Sequence, residues 1–337
     1  MGYHANLLRL VWDSFTWKRF LNVLLVKTEK KLKRTKLRGK PYQLFFDVTN
    51  ICNLKCPLCP TGLGLKGYPK GNMSFELFKK VIDEIGKYAV IATLHNWGES
   101  FLNKDIYGII KYAKSKRICT FISSNLSALN EGDIEKIISS GLDKLVVSLD
   151  GASPETYDMY KRGGNFNTVI KNIEMLVAMK RLRKSSKPYI EWQFVVMKHN
   201  EHEIEKAKKM AKYFGVNFRL KKLHLNNPLP FAGVYDKKLA EQWLPRNPEL
   251  KYDYDSNFLE NCICNSLWNS LFVNHDGGIF PCCILYDQKD LFGNISKQSF
   301  KEIWNNKLFV SSRASFKKNK DLGLKTVCCA CKEFKKW

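Results

Sequence analysis

Two hydrophobic rhythms alternate along the chain from Tyr42 to Leu223. Short apolar runs at 43–49, 89–96, 118–124, 143–149, 189–197 and 216–223 end in turn residues and read as strands. Between them, residues 74–87, 105–116, 131–140, 165–182 and 202–214 repeat their apolar positions with the 3.6-residue period of a helix. Ser74 stands where an N-cap is needed and Gly141 where a helix must stop. Strands that alternate with helices pair in parallel through right-handed crossovers. The fold class is therefore α/β, and six units predict an open, partial (β/α)6 TIM-like barrel over 41–224 rather than a closed eightfold one. Its active site is expected at the carboxyl ends of the strands. The rhythm stops on both sides. Residues 1–40 form a leader, 225–260 a connector rich in Asn and Pro, and 261–337 a small cysteine-rich module.

In the leader, Leu7, Leu8, Val11, Trp12, Phe15, Phe20, Leu21, Leu24 and Leu25 recur at helical spacing. Eleven Lys and Arg accompany them, against Asp13 and Glu29. The whole chain of 337 residues carries a net charge of +24, a field that favours polyanions. Two readings of the leader stay open. It lies on an anionic membrane surface, with its tryptophans at the headgroups and the barrel mouth near a lipid-linked substrate. Alternatively, it packs on the barrel and its charges are solvated. Nucleic acid is disfavoured, because the basic run 27–40 has no interleaved aromatics. Arg9, Asp13, Lys18 and Arg19 interrupt any signal peptide or membrane span, so a cytoplasmic location is expected.

Ten of the eleven cysteines fall at 52–59 and 262–331, leaving Cys119 as a small core residue. Such clustering in a large chain without a signal peptide reads as metal ligation in a reducing compartment. Just after the first strand stand Cys52, Cys56 and Cys59, spaced Cys-x3-Cys-x2-Cys. Three thiolates on one loop can hold three irons of a [4Fe–4S] cluster and leave the fourth open for chemistry. A zinc knuckle, the other reading, needs four closed ligands.

This segment resembles the radical S-adenosylmethionine superfamily. The resemblance implies that the open iron is chelated by S-adenosylmethionine, whose reductive cleavage yields a 5′-deoxyadenosyl radical that abstracts hydrogen from substrate. Leu58 departs from the family's aromatic residue before the third cysteine. Trp97-Gly98-Glu99-Ser100 resembles the family's Gly-Gly-Glu-Pro motif, which implies Glu99 at the methionyl ammonium. Ser123-Ser124-Asn125 implies ribose contacts from Ser123 and Asn125. Ser148-Leu149-Asp150-Gly151 and Lys161-Arg162-Gly163-Gly164 imply Ser148 and Arg162 at the carboxylate or ribose. Gln193, with Val195 and Leu220, is expected to line the adenine.

The tail, with Gly277-Gly278-Ile279-Phe280-Pro281-Cys282, resembles the SPASM/twitch auxiliary-cluster domain and is similar to the twitch arrangement of the aminocyclitol dehydrogenases. This implies a hairpin supplying Cys264 and Cys282, a loop supplying Cys328 and Cys331, and an auxiliary [4Fe–4S] cluster in electron transfer, so two clusters in all. Cys262, Cys283 and Cys329 lie next to these positions and leave the ligand set open, and zinc remains the other reading. The expected function is that of a radical enzyme, an oxidoreductase or bond-forming catalyst, acting on an unidentified organic substrate: a small molecule, a lipid-linked compound or a peptide. Its reductant is expected to be flavodoxin or ferredoxin. A peptide maturase is disfavoured because no peptide-recognition winged helix precedes the barrel. A non-catalytic iron–sulfur electron carrier is the reading from another class.

Overall fold

The computed structural model describes residues 10–64, 67–223, 237–251, 264–285, 287–317 and 324–330. Six parallel strands form its centre: β1 (Gln43–Phe46), β2 (Ile91–Thr93), β3 (Cys119–Ser124), β4 (Lys144–Ser148), β5 (Tyr189–Val196) and β6 (Asn217–Lys222). They pair in sequence order, as right-handed βαβ units require.

Helices cover one face. The helix expected in the leader, α1 (Trp17–Lys31), precedes them; the crossovers are α2 (Phe75–Ile85), α3 (Ile106–Ser115), α4 (Glu131–Ser139), α5 (Pro154–Tyr160), α6 (Phe166–Leu182) and α7 (Ile204–Phe214). Alternation sorts each strand's side chains. Leu44, Phe46, Ile122, Leu145, Val147, Trp192 and Phe194 join the helices in the main core. Ser123, Lys144, Ser148, Glu191, Gln193 and Arg219 take the other face, toward the lumen. Local signals operate as expected: the Ser74 hydroxyl accepts from Leu77 N at 3.2 Å, and Asn130 and Asp133 form a capping box on α4. The expected strand at 89–96 shortens to three residues, because His95, Asn96 and Trp97 peel away to build the site.

The tail does not stand apart. A short helix α8 (Lys237–Trp243) lies within the expected connector. After α9 (Ser266–Asn269), strand β7 (Ser270–Val273) pairs in parallel with β1. Antiparallel β8 (Gly278–Phe280) and β9 (Gly293–Asn294) follow, completing a nine-stranded sheet. Helices α10 (Phe300–Trp304) and α11 (Lys307–Ala314) bury Trp304 and Phe309 in the main core. Arg313 of α11 is fully buried. It donates to Leu267 O at 2.8 Å, Trp304 O at 2.9 Å and Thr35 O at 3.1 Å, tying the tail to the leader.

The leader closes the amino end of the barrel. Leu10, Val11 and Val23 pack with Val90, Cys119 and Phe121 at the foot of the lumen, so Cys119 is a core residue. Arg19 donates to Gly86 O at 2.9 Å and Lys116 O at 2.8 Å, carbonyls at the carboxyl ends of α2 and α3 that lack helical partners. The leader thus packs on the barrel, at the end opposite the carboxyl ends of the strands. Leu7, Leu8 and Arg9 lie outside the described residues.

Candidate active site

The loop leaving β1 carries Cys52, Cys56 and Cys59, and it is held by two neighbours. Glu99 N donates to Ile51 O at 2.9 Å, and Trp97 N donates to Asp47 Oδ1 at 3.2 Å. Gly98 lies against this loop so closely that an added Cβ would overlap the Thr49 carbonyl. After Cys59 the chain folds back, and Gly62 lets it do so, since a Cβ there would overlap Cys56 backbone. Lys55 N donates to Arg162 O at 2.8 Å, fixing the far side.

The three thiols converge. Burial pushes Cys56 up to about 12 and also raises Cys52. Cys52 and Cys59 each raise Cys56 further, while Lys161 pulls it back. None forms a disulfide. Among the described residues no group of His, Cys, Asp or Glu is arranged to hold a single metal ion. Three adjacent, reduced thiols, with Cys52 and Cys56 costly to ionise without a cation, fit a cluster in which each meets its own iron. Leu58 joins Met197, Leu223 and Trp243 in a small apolar patch beside them.

Around the thiols stand the strand ends. The Glu99 carboxylate is buried and accepts from Asn125 N at 2.8 Å and Phe101 N at 3.3 Å. Burial raises its pKa, and these bonds with Ser124 and Lys161 oppose the rise. Asn125 Nδ2 donates to Asn53 Oδ1 at 3.0 Å and reaches Cys52 Sγ at 4.0 Å. Ser123 N donates to His95 Nδ1 at 3.0 Å. That imidazole is pulled down to about 4 by burial, and Lys221, Arg219 and Lys144 add to the effect. It is therefore neutral at pH 7. Gln193 lies beside Ser148 in the ladder and accepts from Arg219. Arg219 also pairs with Glu191 at 2.8 Å, and Glu191 with Lys144 at 2.9 Å. Leu220 falls on the outer face of β6 and is exposed.

The structure brings Lys161, not Arg162, into this group. Arg162 is exposed and lends only its backbone carbonyl. Lys161 is buried, donates to Ser148 Oγ at 2.9 Å and pairs with Asp150 at 3.0 Å. Burial alone would lower its pKa, but Asp150, Cys56 and Tyr160 raise it above the usual ammonium value, so it stays charged. Asp47 and Trp97 were also missed by sequence reasoning. The Trp97 carbonyl accepts from Thr61 Oγ1 at 2.6 Å. Its indole Nε1 donates to Leu285 O at 3.2 Å, and Asn96 Nδ2 donates to Cys283 O at 3.3 Å. One segment therefore touches both cysteine regions.

In the second region, the Cys282 thiol is driven well above its usual value by burial first, then by Cys283, Cys328 and Cys264. Cys264, Cys283 and Cys328 thus lie within electrostatic reach of Cys282, and thiols are the donor chemistry of an iron–sulfur cluster. Cys329 meets Thr326 Oγ1 at 3.8 Å. Cys262 and Cys331 lie outside the described residues.

Residues 46–211 match the model of the radical SAM superfamily, and 262–332 match that of an iron–sulfur cluster-binding domain, SPASM. The AdoMet-dependent heme synthase of Methanosarcina barkeri is 25% identical over 336 residues, covering 88% of this chain and 92% of that protein. The mycofactocin maturase MftC of Mycobacterium ulcerans is 24% identical over 288 residues, covering 79% of this chain and 75% of that one. Among solved structures, Streptococcus suis SuiB bound to precursor peptide SuiA shares the fold with a TM-score of 0.62 at 16% identity, over 92% of this chain and 73% of that one. The thiol loop, the strand-end cradle and these matches agree: the chain belongs to the radical SAM superfamily, binds a [4Fe–4S] cluster and S-adenosylmethionine, and carries a SPASM domain that binds auxiliary iron–sulfur.

Proposed function

We propose that Cys52, Cys56 and Cys59 ligate the catalytic cluster, that Cys264, Cys282, Cys328 and Cys331 ligate a single auxiliary [4Fe–4S] cluster, and that the enzyme oxidises its substrate. When bound, the cluster and S-adenosylmethionine supply the 5′-deoxyadenosyl radical that takes a hydrogen atom from the substrate. The chain's own residues hold the cofactor still. Glu99 offers its carboxylate to the methionyl ammonium while its backbone bonds lock its rotamer. Lys161 offers a charged donor to the methionyl carboxylate and is aimed by Ser148 and Asp150. Asn125, Ser123 and Gln193 remain for the ribose and adenine. The division into a core at 41–224, a connector at 225–260 and an auxiliary module at 261–337 belongs to the same proposal.

The observation that carries this reading is the buried Lys161 ammonium set between Cys56, Asp150 and Ser148. Oxidation is supported by the segment of Asn96 and Trp97 that joins the two cysteine regions. The lumen beyond them is polar, with Lys144, Glu191, Gln193 and Arg219 in one network, which favours a polar substrate over an apolar one. A peptide substrate is the second reading, favoured by the likeness to SuiB, whose structure holds a precursor peptide. An external one-electron reductant such as flavodoxin or ferredoxin completes the scheme. The test is anaerobic turnover of the reconstituted enzyme with candidate substrates. Oxidation predicts 5′-deoxyadenosine together with a product that has lost a pair of hydrogens. A product with its hydrogens conserved would refute the oxidative assignment.

A further inference from the structure

Helix α1 is amphipathic the wrong way round for a helix on a soluble protein. Its buried side carries Arg19, Asn22, Val26 and Glu29. Its outward side carries Trp17, Phe20, Leu21, Leu24, Leu25 and then Leu32, all exposed, with Trp12 and Phe15 just before it. Trp12 and Trp17 are 76% and 75% exposed. A surface helix ordinarily turns its apolar stripe to the core.

The inversion is firmly built. Besides the two helix-end carbonyls, Arg19 Nη1 donates to Ser14 O and Arg117 O, both at 2.6 Å. Asn22 and the Lys40 backbone exchange two bonds of 2.9 Å. Glu29 accepts from Arg38 N at 2.8 Å and Gly39 N at 3.0 Å. Rolling the helix to hide its leucines would strand all of these buried polar groups, each at a cost of about 1–3 kcal/mol. The apolar face is therefore held outward, and a contiguous exposed patch of this kind marks an interaction surface.

We propose that this face docks on an anionic lipid surface, with the barrel mouth directed away from the bilayer. Charge selects the occupant. Lys18, Lys27 and Lys31 are exposed beside the apolar stripe, and Arg34, Lys36 and Arg38 follow it. Asp13 is the only exposed acid among the described leader residues, and Lys187 lies 3.5 Å from it. A second copy of the chain would bring these cations face to face. Anionic headgroups neutralise them, at about 1 kcal/mol for each close Lys or Arg. The indoles of Trp12 and Trp17 suit the headgroup boundary. Orientation follows from the fold: α1 covers the amino ends of the strands, whereas Cys52, Glu99, Asn125 and Ser148 stand at the carboxyl ends. The substrate thus enters from the aqueous side.

The test uses the full chain and vesicles of phosphatidylcholine with or without phosphatidylglycerol, at low and high salt. The wild type should sediment with anionic vesicles, and binding should fall about tenfold or more at high salt. Leu21→Glu/Leu24→Glu, which alters only exposed positions, should stay in the supernatant while cleaving S-adenosylmethionine as the wild type does. Bilayer-brominated lipid should quench tryptophan fluorescence in the wild type but not in a binding-competent Trp12→Phe/Trp17→Phe variant. Three results would overturn the proposal: wild type left in the supernatant, vesicle binding unchanged by the two glutamates, or lipid-free dimers that those glutamates dissociate. Quenching that persists without Trp12 and Trp17 would overturn the orientation.

Discussion

The two cysteine regions are built by opposite means. Cys52, Cys56 and Cys59 ride on one short loop, held by backbone bonds from the strand-end segments at 97–99 and 162. Cys264, Cys282, Cys283 and Cys328 come from three separated segments, and the strands between Cys264 and Cys282 join the barrel sheet through β1. A local site depends on its loop. A distributed site depends on the whole fold, and its loss should disturb packing as well as chemistry.

The strongest way to break this comparison is to remove the thiols. Cys52→Ala/Cys56→Ala/Cys59→Ala should lose about half the iron of a reconstituted protein that holds two [4Fe–4S] clusters, with little change in thermal stability of the apoprotein. Cys264→Ala/Cys282→Ala/Cys328→Ala should lose the other half. It should also lower the melting temperature of the apoprotein, since Cys264 and Cys328 pack against the main core and Cys282 packs among Tyr68, Phe272 and Phe280. Zinc in the second region after reconstitution, with iron in the first alone, would refute the auxiliary cluster.

A smaller effect separates two neighbouring cations. Lys161→Ala should weaken S-adenosylmethionine binding by about tenfold or more, the loss of a charge-assisted hydrogen bond of roughly 1.5–3 kcal/mol. Arg162→Ala should bind nearly as the wild type. The reverse order in a binding titration would return the role to Arg162.

That pair shows where sequence reading ends. All six strands and the five long helices were legible, because the alternating and helical periods of apolar residues are imposed by one buried face. Helix α5 was missed, since Pro154–Tyr160 is short and carries little apolar period. Cys52, Cys56 and Cys59 were legible because their spacing is itself the geometry. Lys161 and Arg162 differ by one position, and only the turn after α5 decides which side chain enters. The leader's stripe was legible too, but periodicity gives a face without saying which way it points. Arg19, Asn22 and Glu29 made that choice through long-range bonds no local pattern reveals.

The local site also carries a titrating group. Burial raises Asp47 to about 7, opposed by bonds from Trp97 N and Gly98 N. The folded chain therefore holds this proton more tightly than the unfolded chain, whose value is near 3.8. Its contribution to stability is full below the unfolded value and declines as pH rises toward about 7. Asp47→Asn should flatten that decline in denaturant melts of the apoprotein, and an unchanged pH profile would contradict the assignment. The smallest expected effect is at the join between the two regions. Trp97→Phe removes the indole bond to Leu285 O and should cost about 0.5–1.5 kcal/mol of stability. It should slow substrate oxidation more than cleavage of S-adenosylmethionine. Equal slowing of both would remove Trp97 from the link between the regions.

The most direct measurement is 5′-deoxyadenosine release from S-adenosylmethionine and dithionite, without oxygen, by the wild type and the two cysteine variants. The account predicts release by the wild type, none from Cys52→Ala/Cys56→Ala/Cys59→Ala, and continued release from Cys264→Ala/Cys282→Ala/Cys328→Ala. Release that survives loss of the first three cysteines, or a wild type that releases none with its clusters intact, would contradict it.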